Sequence, residues 1–307
     1  MRRLLQKAER VSRILTGRQA AGRGLTVLPD DVFIVSYPRS GNNWARFLIG
    51  NLIRCDEPVS FANLEARVPE IYFHSDRQLR RLPGPRVFKS HEVFDPRYAN
   101  SIYIVRDPRD VAVSNYHHNL RAGNVQEGVS LDEFVPRFIA ADFDSKWGSW
   151  RDHVVSWLAT RKDQPGFLLV RYEDMKNATA DELARIAAFL SERWNRSISS
   201  SPEFLKRVIE LSSPERMRAL EQEQGRRWLG SLTDRNKKSY LAVRAAVAGG
   251  WKAVLSASSV AAIESAWGDV MTTVGYELGT AAQIAGQRPT GTGSSLTAQS
   301  ATTGSSR

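Results

Sequence analysis

Asp31-Val32-Phe33-Ile34-Val35-Ser36-Tyr37-Pro38-Arg39-Ser40-Gly41-Asn42-Asn43-Trp44 carries the strongest fold signal in the sequence. The run up to Tyr37 is short, β-branched and aromatic, which suits a buried strand. Pro38-Arg39-Ser40-Gly41 is a turn, and from Trp44 to Ile53 the apolar residues recur at helical spacing. Strand, glycine turn and helix in that order aim backbone N–H groups and the positive end of the helix at an anion. Gly41 lets the backbone come close, Arg39 supplies charge, and Ser40, Asn42 and Asn43 add donors. The turn is P-loop-like but lacks the spacing GxxxxGK[ST], so a Mg²⁺-triphosphate arrangement is not expected of it.

Outward from this stretch the pattern repeats. Arg86-Val87-Phe88-Lys89 reads as a short strand, and Ser101-Ile102-Tyr103-Ile104-Val105 as a buried strand running into Arg106-Asp107-Pro108-Arg109-Asp110. Phe167-Leu168-Leu169-Val170 is another, followed by Arg171-Tyr172-Glu173-Asp174. Helices are expected over 131–140, 154–160, 181–190 and 258–274, and the polar stretch 191–239 reads as helices with loops. Short apolar strands alternating with helices imply an α/β fold: three layers, with a central, mostly parallel sheet and helices on both faces. Ligands of such sheets bind beyond the carboxyl ends of the strands, so the polar residues after each strand should gather on one edge. The chain divides into a basic leader over 1–24, helical in pattern, one domain over 25–279, and a flexible Gly/Ala/Thr/Ser-rich tail over 280–307.

Composition narrows the partners. The 307 residues carry 43 Lys+Arg against 33 Asp+Glu, a net +10, which favours an anionic partner. The basic residues fall in strand-end turns and not in one long stripe, which argues against nucleic acid. No apolar run approaches the ~20 residues of a transmembrane helix. The basic leader has no uninterrupted apolar core, so a secretory signal is not expected; peripheral membrane contact suits it less than a solvated helix, and the default address is cytoplasmic. The single cysteine, Cys55, lies in an apolar stretch and reads as a buried, inert thiol; no Cys/His spacing for a metal is present.

Two further motifs carry chemistry. Lys89-Ser90-His91 follows a strand, which puts both long side chains toward one cleft. A histidine suits deprotonation of a hydroxyl, and a lysine stabilises charge on a transferring group. In Arg106-Asp107-Pro108-Arg109-Asp110-Val111-Ala112-Val113-Ser114, Arg106 and Ser114 bracket a strand-to-helix junction and can grip a second phosphate. Asp107 there is expected to cap the helix or orient an arginine, in preference to holding a metal.

In this order and context the motifs resemble the sulfotransferases that use 3′-phosphoadenosine 5′-phosphosulfate (PAPS). That family's phosphosulfate loop has the form YPKSGTTW, and here it reads YPRSGNNW. Its Lys-x-His is matched by Lys89-Ser90-His91, and its 3′-phosphate pair of Arg and Ser by Arg106 and Ser114. Leu169–Met175 and the run Arg244 to Lys252 are similar to its later motifs. The resemblance implies sulfuryl transfer from PAPS to a hydroxyl of a small-molecule or carbohydrate acceptor, without a metal. His91 would be the base, with Lys89 and Arg39 on the sulfuryl group. Ser40, Gly41, Asn42 and Asn43 would hold the 5′-phosphate, Trp44 and Tyr172 the adenine, and Arg106, Ser114 and Arg244 the 3′-phosphate.

The chain departs from the family pattern at three places. Arg39 replaces lysine, Ala245-Ala246 replace Lys-Gly, and Ser212-Ser213-Pro214 stands where a Thr-Ser-Phe segment supplies an aromatic ring to adenine. The Lys-x-x-x-Thr-Val-x-x-x-Glu dimerisation segment of many animal members does not follow Trp251-Lys252, so their dimer is not expected and the oligomeric state stays open. Candidate acceptor-pocket residues are Phe61, Tyr72, Phe73 and Phe94, half or more of which are expected to be core. His117-His118 reads as structural, and 147–150 as a lid or as packing. The rival readings are a P-loop kinase or NTPase and a non-catalytic nucleotide-binding protein.

Overall fold

The computed structural model describes residues 20–144, 146–224 and 248–279. Four strands, β1 (Val32–Ser36), β2 (Val87–Ser90), β3 (Asn100–Val105) and β4 (Phe167–Arg171), form one sheet in the order β2-β1-β3-β4. Every pairing is parallel. The helices of eight or more residues are α1 (Asn42–Ile53), α2 (Pro108–Arg121), α3 (Leu131–Ile139), α4 (Trp150–Arg161), α5 (Thr179–Trp194), α6 (Pro202–Leu211), α7 (Pro214–Gln224) and α8 (Ala257–Thr273). Shorter helical turns occupy Leu64–Arg67, Asp76–Leu79 and Tyr172–Asn177.

Side chains alternate along a strand, and here both faces are buried. Phe33, Val35, Tyr103 and Val105 face one core, which α3, α4 and α8 complete with Phe134, Trp157 and Trp267. Val32, Ile34, Ile102 and Ile104 face the other, packed by α1, α5 and α6. This is the three-layer arrangement expected from the sequence. Because β1 lies between β2 and β3, the crossovers leave it in opposite directions. The resulting crevice lies beyond the carboxyl ends of the central strands, where ligands of such sheets bind.

Several local signals explain the element ends. Pro108 sits at the first helical position of α2, and Asp107 caps that helix by accepting from the Arg109 N–H at 2.9 Å. Asp107 thus has the capping role expected of it. Ser149 opens α4 with a capping box closed by Asp152, four residues earlier than the apolar pattern suggests.

Ala21 and Leu25 are buried, and Ala21 N–H donates to the His74 carbonyl at 2.7 Å. One expectation changes. Cys55 is half-exposed, because α1 ends at Ile53 and its chain emerges there. The rest of the leader and the tail over 280–307 lie outside the described residues.

Asp31 and Arg86 tie the amino ends of β1 and β2. The guanidinium donates to both carboxylate oxygens at 2.7 and 2.5 Å, with side chains 0% and 2% exposed. Removing one member of a buried pair leaves the other charge uncompensated. Asp31→Ala should therefore lower the unfolding free energy by about 3–5 kcal/mol. Urea denaturation checks this, and a loss under ~1 kcal/mol would contradict it.

Candidate active site

The turn after β1 reverses with Arg39 at φ 69° and Gly41 at φ 91°, both left-handed. At Gly41 a side chain is excluded twice: by its φ, and because a Cβ would come 2.4 Å from the Tyr172 ring. The first-turn amides of α1 have no intrahelical acceptors. The Ser40 hydroxyl is buried with no hydrogen-bond partner among the described residues. Asn42 turns its side chain inward, donating to the Ile34 carbonyl at 3.3 Å and the Ser36 hydroxyl at 3.1 Å. Its side chain thereby fixes the turn.

The turns after β1 and β3 meet. Arg39 Nε donates to Ser114 Oγ at 3.2 Å, and an Arg106 N–H donates to the Arg39 carbonyl at 3.3 Å. The Arg106 guanidinium lies 4.4 Å from the Tyr172 ring centre, and Trp44 meets that ring edge-on at 5.8 Å. Trp44 Nε1 also donates to the Ser212 carbonyl at 3.0 Å, which brings the 212–214 segment beside it. Pro214 starts α7 there, a position proline tolerates and from which it offers no aromatic ring. Arg244 lies outside the described residues. Gly249 and Trp251, which follow it, are held by Asp110 through their N–H groups at 2.7 and 3.0 Å.

The end of β2 joins the same crevice. His91 Nδ1 is 2.7 Å from the Ser36 carbonyl. A carbonyl only accepts, so Nδ1 carries the proton and the Nε2 lone pair is left for chemistry. Among the described residues Nε2 makes no hydrogen bond. Burial, then the nearby Lys89 cation, hold the His91 pKa well below the ordinary imidazole value, and the Ser36 bond opposes them. His91 is therefore neutral at neutral pH. Lys89 Nζ donates to Glu70 Oε2 at 2.7 Å, both side chains being 9% exposed.

Three side chains of α4 fix the backbone after His91. His153 Nε2 is 3.1 Å from the His91 carbonyl and donates to it. The Trp157 indole donates to the Glu92 carbonyl at 3.0 Å, and Ser156 Oγ accepts from Phe94 N–H at 3.1 Å. His153 Nδ1 in turn accepts from the Tyr103 hydroxyl at 2.8 Å, so its tautomer is fixed as well. From the opposite side the Tyr72 hydroxyl accepts the His91 N–H at 3.1 Å and donates to Glu92 at 3.1 Å.

Of the aromatic candidates, Tyr72 is beside His91, with Trp147 5.1 Å from Tyr72 and 6.0 Å from His91 between ring centres. Phe94 packs edge-on against Trp157 at 5.6 Å. Phe61 is buried against Phe47 in a separate cluster, as expected of a core residue, whereas Phe73 is 37% exposed and is not core. Sequence reasoning missed Glu70, Tyr103, Asp110 and His153. A lone charge in the apolar run Val68-Pro69-Glu70-Ile71-Tyr72, and a histidine on the Trp150–Trp157 face of a helix, were the available signals.

Comparison with known proteins gives concordant results. A family model described as "Sulfotransferase domain" matches residues 29–275. A dog protein named Sulfotransferase 1B1 is 30% identical over 240 residues, covering 73% of this chain and 77% of its own. A mouse Sulfotransferase 2B1 is 28% identical over 256 residues, covering 80% and 72%. Among solved structures, mouse sulfotransferase SULT7A1 complexed with PAP shares the fold with a TM-score of 0.62 and 24% identity, covering 82% of this chain and 87% of its own. Retinol dehydratase in a complex with retinol and PAP does so with a TM-score of 0.67 and 20% identity, covering 84% and 85%.

Burial depresses the His153 pKa to about 4. The unfolded chain takes up this proton near pH 6.5 and the folded protein only near 4, so stability is lost as pH falls through that window. His153→Gln can make both hydrogen bonds without titrating. It should lose less stability than the parent between pH 6.5 and 4, as measured by thermal denaturation at stepped pH. Parallel curves would contradict the assignment.

Proposed function

The chain belongs to the sulfotransferase-domain family, and from that premise we propose that it transfers the sulfuryl group of PAPS to a hydroxyl of a small-molecule or carbohydrate acceptor, with His91 as the general base. One observation carries the reading. An imidazole with an uncommitted Nε2 lone pair and a buried lysine end β2, beside the Arg39, Arg106 and Ser114 groups that follow β1 and β3.

The residues fit the donor. The Ser40 hydroxyl, unpartnered among the described residues, and the first-turn amides of α1 suit a 5′-phosphate. Trp44 and Tyr172 offer rings to adenine, and Arg106, Ser114 and Arg244 are assigned to the 3′-phosphate. PAPS supplies a sulfuryl group on a phosphate leaving group. His91 Nε2 takes the acceptor proton as the new O–S bond forms and the S–O bond to phosphate breaks. Lys89 and Arg39 stabilise charge on the sulfuryl oxygens and on the departing phosphate, which is catalysis by positioning and electrostatics. A sulfuryl group carries less charge than a phosphoryl group, so protein cations suffice. Tyr72 and Trp147, flanking His91, give the acceptor an aromatic face.

PAP release from PAPS across a panel of phenols, alcohols and sugars tests the proposal. His91→Ala should lower the best rate at least ~10²-fold while PAP, 3′-phosphoadenosine 5′-phosphate, still binds with parental affinity. Loss of PAP binding with His91 would contradict its role as base.

Arg106→Ala tests the second anion site. It should weaken PAP about 10–100-fold and leave adenosine 5′-monophosphate unaffected. Equal weakening of both nucleotides would remove Arg106 from the 3′-phosphate site.

A further inference from the structure

Lys89 has an unusual setting for a residue meant to stabilise a transferring anion. Its strand end is paired on the outer side by the segment Pro69–Ile71. Lys89 N–H donates to the Pro69 carbonyl at 2.9 Å, and Ile71 N–H donates to the Lys89 carbonyl at 3.3 Å. This pairing sets Glu70 opposite Lys89 and fixes the 2.7 Å contact between the side chains. The Glu70 backbone N–H is itself held by Glu65 at 2.9 Å. An ammonium carries three donors, and Glu70 is its one acceptor among the described residues. Two N–H groups are left for an incoming ligand.

We propose that Glu70 is a positioning residue that keeps Lys89 charged and aimed in the crevice, so that an ammonium, not an amine, meets the sulfuryl group. The inference rests on the reading of Lys89 as the sulfuryl-contacting cation. The charged and titratable groups facing Lys89 are Arg46 from α1, Glu65 from the turn Leu64–Arg67, Glu70 from the edge segment, and His91 from its own strand end. Glu65 is shared with Arg46 at 2.6 Å and His74 at 3.2 Å, so its charge is largely committed elsewhere. Glu70 hydrogen-bonds no other cation among the described residues, although Lys146 also interacts with it electrostatically. Burial lowers the Lys89 pKa, the neighbouring Glu70 carboxylate is the main influence opposing it, and Arg46 lowers it further. Without Glu70 the amine would deprotonate at lower pH, and the alkaline side of the activity profile would move inward.

The test reads Lys89 directly. The ¹³Cε resonance of Lys89 is identified by its absence in Lys89→Arg and titrated by NMR in the parent, Glu70→Gln and Glu70→Asp. Glu70→Gln should titrate at least about one pH unit lower, a tenfold change in the protonation equilibrium. Glu70→Asp should recover part of that shift and shows the effect is not misfolding. The alkaline limb of PAPS turnover should move by the same amount. An unchanged Lys89 titration in Glu70→Gln overturns the proposal, as does turnover scaled down equally at every pH. PAP titration of the same samples tests the donor reading separately, so failure of one is distinguishable from failure of the other.

Discussion

The hydrogen bond from His91 Nδ1 to the Ser36 carbonyl is the constraint on which the site depends. It joins the last residue of β1 to the residue after β2, two strands already paired in parallel register from Val32↔Val87 to Val35↔Ser90. One contact therefore sets the imidazole tautomer, leaves the Nε2 lone pair uncommitted and locks the second motif against the first. The opposite neighbour, β3, delivers Arg106 to the Arg39 carbonyl through the same parallel geometry. The crevice is a consequence of strand order, and the turn residues only line it.

Around this frame the electrostatics are arranged by buried partners. The crevice gathers Arg39, Lys89 and Arg106, and carboxylates behind them hold their neighbours in place. Asp107 and Glu264 fix Arg109, Glu65 fixes Arg46, and Asp110 fixes the Gly249–Trp251 amides. A dense set of cations would otherwise repel itself in a low-dielectric site. The same burial keeps His91 and His153 neutral, which suits one for accepting a proton and the other for holding a carbonyl.

Much of the fold was legible because its signals are local. The strand–turn–helix at 31–53, the apolar run 101–105 and Pro108 after Asp107 each act within a few residues. The three strand-end motifs were legible for the same reason. What escaped was non-local. Glu70 lies 19 residues from Lys89 and His153 62 residues from the His91 carbonyl they support, and only strand pairing and helix packing bring them together. Phe61 shows the reverse limit. An aromatic ring between two motifs looks the same in sequence whether it faces a ligand or, as here, Phe47 and Leu64.

The crevice is proposed as a donor site that reads both phosphates of one nucleotide. Calorimetric titration with PAP, with adenosine 5′-monophosphate and Mg·ATP as controls, decides this. PAP should bind tightly, need its 3′-phosphate and stay bound in a chelator. Binding of Mg·ATP in preference to PAP, or of neither, would contradict it.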